Sequence, residues 1–386
     1  MPQFRNLGGK SGGGGSVVTE ATDQQRATWK EVFSKPIAGG PTTRGFDEYF
    51  GTDVPNWPPY CFIENDRTVG IPTSLLGPEL LVRNQASLQG PALEHWSLEP
   101  ILDTLGQRAA DFIQRQAKAG QPFLLYMPLT APHTPITPTP KWQGKSGIGP
   151  YGDFVMQVDA VIGQVLDAIS GSGVADNTLV LLTSDNGCAS YIGVPPMEAL
   201  GHFPSGRLRD YKASVYEGGH REPFIVRWPG VVKPGTVNNQ YVHHADILAT
   251  LADIWEAKLP ESAGEDSFSL LPLLKGDDEP ARSSGVNTAC NGVPSVRQGP
   301  WKLVLQADAA ANEPVELYNL DRDIGEQQNL ASLEPQRVSE MRALLEKLIV
   351  DGRSTPGAVQ KNDVPVRRYP VAAGAGKKAK AKAGAK

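Results

Sequence analysis

Thr178-Leu179-Val180-Leu181-Leu182-Thr183-Ser184-Asp185-Asn186-Gly187 joins a continuous β-branched and aliphatic run to a turn that sets a carboxylate beside an amide oxygen. Such a run, without polar alternation, is the pattern of a strand buried on both faces. Upstream, Val155, Val158, Ile162, Leu166 and Ile169 recur at helical spacing from Asp153 until Gly171 and Gly173 end the pattern. Before that lies a short apolar strand, Phe123-Leu124-Leu125-Tyr126-Met127. A further helix over Asp103 to Ala119 precedes it, with Leu105, Ala109, Phe112 and Ile113 on one face and Gly120 as its stop. Strand, helix, strand in this order predicts a right-handed crossover with parallel strands. Ligands then collect beyond the carboxyl ends of the strands. Asp185 follows one strand and His133 the other, so both are expected at one rim of an α/β sheet.

Downstream, Phe224-Ile225-Val226-Arg227-Trp228 reads as a strand closed by Pro229-Gly230, followed by a helix from His244 to about Glu256 with Ile247, Leu248, Leu251 and Ile254 inward. After Pro260 the composition shifts. Trp301 to Leu305 and Val315 to Tyr318 flank a polar loop as hairpin strands do, and an amphipathic helix covers Pro335 to Asp351. Strands closed by one helix predict a small C-terminal α+β subdomain. The two ends differ from the body. Gly8 through Gly15 is glycine-rich and Ala372 to Lys386 alternates Ala, Gly and Lys, so a flexible start and a disordered basic tail are expected. The expected organisation is 1–27 flexible, 28–285 the main α/β domain, 286–352 the small subdomain and 353–386 an extended tail.

With 386 residues, 40% hydrophobic and 20% charged, the chain has the composition of a globular protein with room for a large domain and an appendage. The net charge of −5 and the lack of a basic stripe with interleaved aromatics in the body exclude nucleic acid as the expected partner. Three cysteines without a Cys-x-x-Cys pair argue against a disulfide framework or structural zinc. No apolar run approaches the roughly 18 residues of a membrane span, and residues 1–20 lack an apolar signal core, so by default the chain as written stays where it is made.

Three short segments carry chemistry. Asp185 and Asn186 offer oxygen ligands of the kind hard divalent cations take, although Asp-Asn-Gly alone is also a common turn. His133, held between Pro132 and Pro135, is an imidazole on a stiff backbone that is suited to binding an anion or protonating a leaving group. Lys212 precedes the Gly218-Gly219 pair and a strand, where an ammonium can meet an oxyanion. Taken singly, each is an ordinary surface residue or turn.

Taken together, these segments resemble the sulfatase family in order and spacing. The likeness runs through Phe123 to Pro135, Val158 to Gly187, Lys212 to Gly230, His244-Ala245-Asp246-Ile247, Val296 to Leu303, and Glu316-Leu317-Tyr318-Asn319-Leu320 with Glu326 downstream. Ser34-Lys35-Pro36-Ile37 and Arg44 to Gly51 resemble the segment after that family's first catalytic loops, and the whole likeness covers roughly residues 28–352. The resemblance implies an alkaline-phosphatase-like α/β fold, with a mixed, mostly parallel sheet flanked by helices, that hydrolyses sulfate esters of small molecules or sulfated glycans with Ca²⁺ or Mg²⁺. It implies Asp185 and Asn186 as metal ligands. His133 and Lys212 become sulfate contacts, His133 near the leaving oxygen. Members of the family are often periplasmic or secreted.

The family also begins with a strand ending in an aspartate pair for the metal, a Cys/Ser-x-Pro-x-Arg loop whose first residue becomes a formylglycine nucleophile, and a Gly-Lys-Trp-His-like loop. No Cys or Ser in this chain stands in that pattern, so no formylglycine is expected from it. Cys290 to Arg297 has the right letters at the wrong spacing, and Gly9-Lys10 is only a fragment of the lysine loop. The expectation is therefore a truncated sulfatase with half a site, holding Ca²⁺ weakly because Ca²⁺ takes six or more oxygens. The alternatives are a phosphoric or phosphonic monoester hydrolase of the same superfamily, or a non-catalytic remnant that binds sulfated glycans.

Overall fold

The computed structural model describes residues 20–80, 88–306 and 315–366. The glycine-rich start, Gly9-Lys10 and the basic tail all lie outside the described residues. The chain divides into two compact units, one formed by the residues up to 175 with 195–202, the other by 176–194 with the residues from 203 onward.

The first unit opens with α1 (Asp23–Phe33). Its N-terminus is closed by a capping box: Thr22 Oγ1 accepts from the Gln25 amide, and the Gln25 side chain accepts from the Thr22 amide. Trp29 and Phe33 on its inner face meet Ala21, Ile37 and Ile63 in a small core. Five two-residue strands follow: β1 (Phe50–Gly51), β2 (Ile63–Glu64), β3 (Arg67–Thr68), β4 (Ser74–Leu75) and β5 (Pro91–Ala92). They pair antiparallel in the orders β1-β2-β3 and β4-β5.

Two long helices dominate this unit, α2 (Ile101–Ala119) and α3 (Pro150–Gly171). Gly120 ends α2 in the left-handed conformation, as expected from the sequence. The helices close on each other at Gly106, where an added Cβ would lie 2.9 Å from Val161 Cγ1. Leu102, Ala131, Phe154 and Val161 form the core there. By length and composition α3 is apolar enough to cross a membrane. Two of its polar side chains are instead buried and engaged within the protein: Asp153 accepts from the Gly144 and Ser146 amides, and Gln157 bridges the Thr139 amide and Asp103. It is a core helix of this fold rather than a membrane span. The short α4 (Val194–Ala199) comes later in the chain.

The second unit contains β6 (Val180–Thr183), α5 (Glu217–His220), β7 (Phe224–Arg227), α6 (Asp246–Ile254), α7 (Leu271–Leu274), β8 (Ser284–Thr288), β9 (Pro294–Gln298), β10 (Trp301–Leu305), β11 (Val315–Asn319) and α8 (Pro335–Asp351). The C-terminal subdomain matches its expected form. An antiparallel sheet ordered β11-β10-β9-β8 packs Val296, Leu303, Leu305 and Leu317 against Met341 and Leu345 of α8. Apolar residues alternate along β10 and β11 because one face meets α8 and the other the rest of the unit.

Pairing around β6 differs from the expected parallel crossover. Leu181 opposes Val226 and Thr183 opposes Phe224, so β6 and β7 run antiparallel. The Phe123–Met127 run joins no ladder among the described residues; its side chains alternate, with Leu124 and Tyr126 exposed. Each β6 residue is half-buried rather than enclosed on both faces. Apolar content determines that a strand seeks cover, but its hydrogen-bond partner lies far away in sequence and leaves no local mark. α6 is shorter than its pattern suggested, and Leu248 points to solvent while Asp246 and Thr250 face inward.

Candidate functional site

β6 delivers Ser184-Asp185-Asn186-Gly187 directly from its last residue. Thr183 is tied to His244, Oγ1 to Nε2, at 2.9 Å, and Ser184 Oγ donates to the Asn186 carbonyl at 3.3 Å. Asn186 Nδ2 donates to the Gly187 carbonyl at 3.3 Å, which leaves its Oδ1 as an oxygen donor. Asp185 is exposed, and its carboxylate accepts no hydrogen bond among the described residues.

The 209–219 segment lies against this turn. The Lys212 amide donates to the Cys188 carbonyl at 2.8 Å, and the Gly187 amide to the Gly219 carbonyl at 3.1 Å. So close is the approach that a Cβ on Gly187 would run into the Gly218 carbonyl, and one on Gly218 into the carbonyls of Arg209 and Asp210. Glycine is required here for space, since neither residue has a positive φ. Asp210 (φ 68°) and Ala213 (φ 77°), on either side of Lys212, do adopt the left-handed region. For Ala213 that costs on the order of 1–2 kcal/mol. Strain of this kind persists only where the surroundings over-determine the backbone. Lys212 is half-buried, and its ammonium has neither an ion pair nor a hydrogen bond among the described residues.

Asp185 has a neighbour that sequence reasoning passed over. Glu222, half-buried, lies beside the same turn, 3.5 Å from the Cβ position of Gly187. Burial, together with the Asp185 charge, pushes its carboxyl up to about 7. The turn thus presents two carboxylates and an amide oxygen. These are hard donors that fit a divalent cation in kind, though fewer than the six or more oxygens that Ca²⁺ takes. No cluster of three or more His, Cys, Asp or Glu side chains suited to a metal occurs among the described residues.

His133 belongs to the first unit. Both prolines beside it, Pro132 and Pro135, follow cis peptide bonds, Thr134 is buried, and the imidazole is exposed. Its Nδ1 lies 2.6 Å from the Thr134 carbonyl. Contact with a carbonyl assigns the proton to Nδ1 and leaves Nε2 outward as the working nitrogen. The three cysteines are free thiols, and Cys290 lies just past β8.

A buried ionic cluster stands behind the Lys212 segment. Glu217, Lys302 and Glu326 are each only 1% exposed. Lys302 Nζ lies 2.9 Å from Oε1 of both Glu217 and Glu326, and the Glu217 amide donates to Glu326 Oε2 at 2.7 Å. Arg221 donates to Glu217 Oε2 at 3.2 Å, with Arg297 at 3.9 Å. Burial raises the Glu217 carboxyl, but the Lys302 charge and hydrogen bond outweigh it and hold it down to about 2. Burial pushes the Glu326 carboxyl up in spite of Lys302. Lys302 and Glu326 fall within the quoted family segments, yet neither had a role assigned from sequence. Nothing local distinguishes a glutamate after Val215-Tyr216, or a lysine after Trp301, as buried. Asp246 is likewise internal, accepting from the His243 and Phe268 amides beside Arg282.

The sulfatase sequence profile matches residues 18–257, and that of the N-sulphoglucosamine sulphohydrolase C-terminal region matches 209–354. N-acetylgalactosamine-6-O-sulfatase of Bacteroides thetaiotaomicron is 36% identical over 267 residues, covering 66% of this chain and 52% of that protein. Arylsulfatase A of Homo sapiens is 34% identical over 270 residues, covering 62% and 52%. The chain thus spans about half the length of these curated relatives. A solved structure from the study of glycosaminoglycan metabolism by Bacteroides thetaiotaomicron superposes with a TM-score of 0.74 at 31% identity, covering 82% of this chain and 75% of that one. Ps i-CgsB, solved with k-i-k-neocarrahexaose, shares the fold at a TM-score of 0.60 and 22% identity, over 83% and 70%. The fold is the alkaline-phosphatase-like α/β fold. A profile match across most of the chain, motifs in the same order and the same fold agree, and the chain belongs to the sulfatase family.

Proposed function

We propose that the protein acts in the hydrolysis of a sulfuric ester, with Asp185 and Asn186 holding a divalent metal, Ca²⁺ or Mg²⁺, and with Lys212 and His133 on the sulfate. One observation carries this reading. Main-chain hydrogen bonds join the Asp185-Asn186-Gly187 turn to the segment of Lys212, whose half-buried ammonium has no partner among the described residues. An oxygen-donor turn and an unengaged cation held side by side suit an anionic group that meets a metal ion and a fixed positive charge together. When bound, such a metal supplies charge stabilisation at the sulfate oxygens. Lys212 contributes a fixed positive charge where negative charge develops, and His133 Nε2, when protonated, can hand a proton to the departing alkoxide or phenoxide. Relatives named for N-acetylgalactosamine-6-sulfate and aryl sulfate esters support a sulfated sugar or aryl sulfate as substrate.

The test uses the full-length gene product with an aryl sulfate and a 6-sulfated N-acetylgalactosamine, each with and without Ca²⁺. Asp185→Ala and Lys212→Ala are expected to lower kcat/KM by about 100-fold or more, the scale on which lost transition-state contacts act. Faster turnover of the matching phosphate monoester would reassign the chemistry. Tight sulfated-glycan binding without turnover in the full-length product would make it a binding protein.

A further inference from the structure

The segment that carries Lys212 is gripped at both ends by one residue. At its start, Arg209 Nη1 donates to the Glu326 main-chain carbonyl at 2.9 Å; at its end, the Glu217 amide donates to Glu326 Oε2 at 2.7 Å. Glu326 presents its carbonyl and its carboxylate in this way with φ at 53°, a conformation a non-glycine residue seldom takes. Lys302 from β10 lies against the Glu326 and Glu217 carboxylates, and the Arg209 guanidinium is stacked 3.6 Å over the Tyr216 ring while donating to the Tyr318 hydroxyl at 2.9 Å. Between the two grips lie Lys212 and the strained Ala213, and immediately after them come the two glycines packed on the Asp185 turn.

A buried ion cluster is a poor way to add stability, because desolvating the charges offsets much of their attraction and apolar side chains of like volume do as well. What charged groups add is direction: each fixes a particular atom at a particular place. Here the fixed atoms are the two ends of the Lys212 loop. The loop follows a strained path that needs outside restraint, and the Gly218 carbonyl against which Gly187 rests lies one residue from Glu217.

We propose that Glu326, backed by Lys302, is a positioning residue that clamps the 209–217 loop and so keeps Lys212 in register with the Asp185-Asn186-Gly187 turn. The C-terminal subdomain is then part of the site's machinery through this clamp. The clamp matters for catalysis only in so far as Lys212 contacts sulfate, as proposed above; its geometry can be tested separately.

Amide hydrogen exchange on the whole chain at neutral pH makes that test, comparing the wild type with Glu326→Ala, Glu326→Gln and Arg209→Met. In Glu326→Ala and Arg209→Met the Lys212 and Gly187 amides are expected to exchange about tenfold faster or more, while the Val296, Leu303 and Leu317 amides of the sheet change by less than about threefold, as for a local rather than global opening. Glu326→Gln, which keeps an acceptor oxygen, is expected to fall between wild type and Glu326→Ala. Equal acceleration of loop and sheet amides would reduce Glu326 to a general stabiliser, and unchanged Lys212 and Gly187 exchange would remove the clamp altogether. Should Glu326→Ala fail to fold, Arg209→Met and Glu326→Gln decide by the same amides. A parallel titration with inorganic sulfate, wild type against Lys212→Ala, tests the sulfate role of Lys212; its failure leaves the exchange result standing.

Discussion

The Lys212 amide donates to the Cys188 carbonyl at 2.8 Å, so the proposed sulfate lysine and the turn of the proposed metal ligands are joined by main chain, three residues past Asp185. Side-chain substitution at either residue leaves that link intact. The arrangement is therefore sensitive to backbone volume and backbone conformation, and the first two predictions address these.

Gly187→Ala is expected to destabilise the protein by about 1–3 kcal/mol, the usual range for overpacking, because the new methyl meets the Gly218 carbonyl. Gly163→Ala within α3, where an added Cβ meets nothing within 4 Å, is expected to stabilise by about 0.5–1 kcal/mol through helix propensity. Urea denaturation of the two variants side by side checks both signs; similar effects at both positions would contradict the close approach at Gly187.

Ala213 separates strain from packing. With φ at 77°, Ala213→Val places a β-branched residue in a region it avoids and is expected to destabilise by about 2 kcal/mol or more, whereas Ala213→Gly relieves the strain and is expected to be neutral or mildly stabilising. Sulfate affinity then reports on rigidity. Ala213→Gly should weaken sulfate binding without loss of melting temperature, since the freed loop must be ordered on binding. An Ala213→Gly variant with lower stability and unchanged sulfate affinity would speak against a strained, pre-set loop.

Glu222 gives a pH signature. Its carboxyl, raised by burial and Asp185 to about 7 from an ordinary value of 4.5, stays protonated in the fold over a range where the unfolded chain has already released its proton. Stability from this group is thus fully present below about 4.5 and is lost progressively as pH rises to about 7. Glu222→Gln removes the loss. Its melting temperature is expected to exceed that of the wild type at pH 8.5 and to match it near pH 4.5, as read by thermal scans in metal-free buffer. Added Ca²⁺ at pH 8.5 should narrow the gap if the cation offsets the paired carboxylate charges.

His133 and Lys212 stand in different compact units, and their shared contact with one sulfate is an expectation carried from sequence. A double-mutant cycle on kcat/KM in the full-length product, using His133→Ala, Lys212→Ala and the pair, tests it. Residues on the same sulfate group are expected to couple by about 1 kcal/mol or more, while independent residues add within about 0.5 kcal/mol.

Much of the local structure could be read from the residues in order. α2 and its Gly120 stop, α3, the β10–β11 pairing and the span of α8 follow from periodicity and caps, which depend only on neighbours a few positions away. The Ser184-Asp185-Asn186-Gly187 turn at a strand end and the glycines that flank Lys212 were equally visible, since chain reversals and close approaches need particular residue types.

What the order of residues left undecided was every partnership between distant segments. The antiparallel pairing of β6 with β7, the nearness of Glu222 to Asp185 and the convergence of Glu217, Lys302 and Glu326 join positions 24 to 109 residues apart; each is set by contacts across space that impose no periodicity on the chain. A buried glutamate and an exposed one are spelled alike, and only the tertiary structure, by removing water from one of them and placing a lysine at 2.9 Å, makes them different groups.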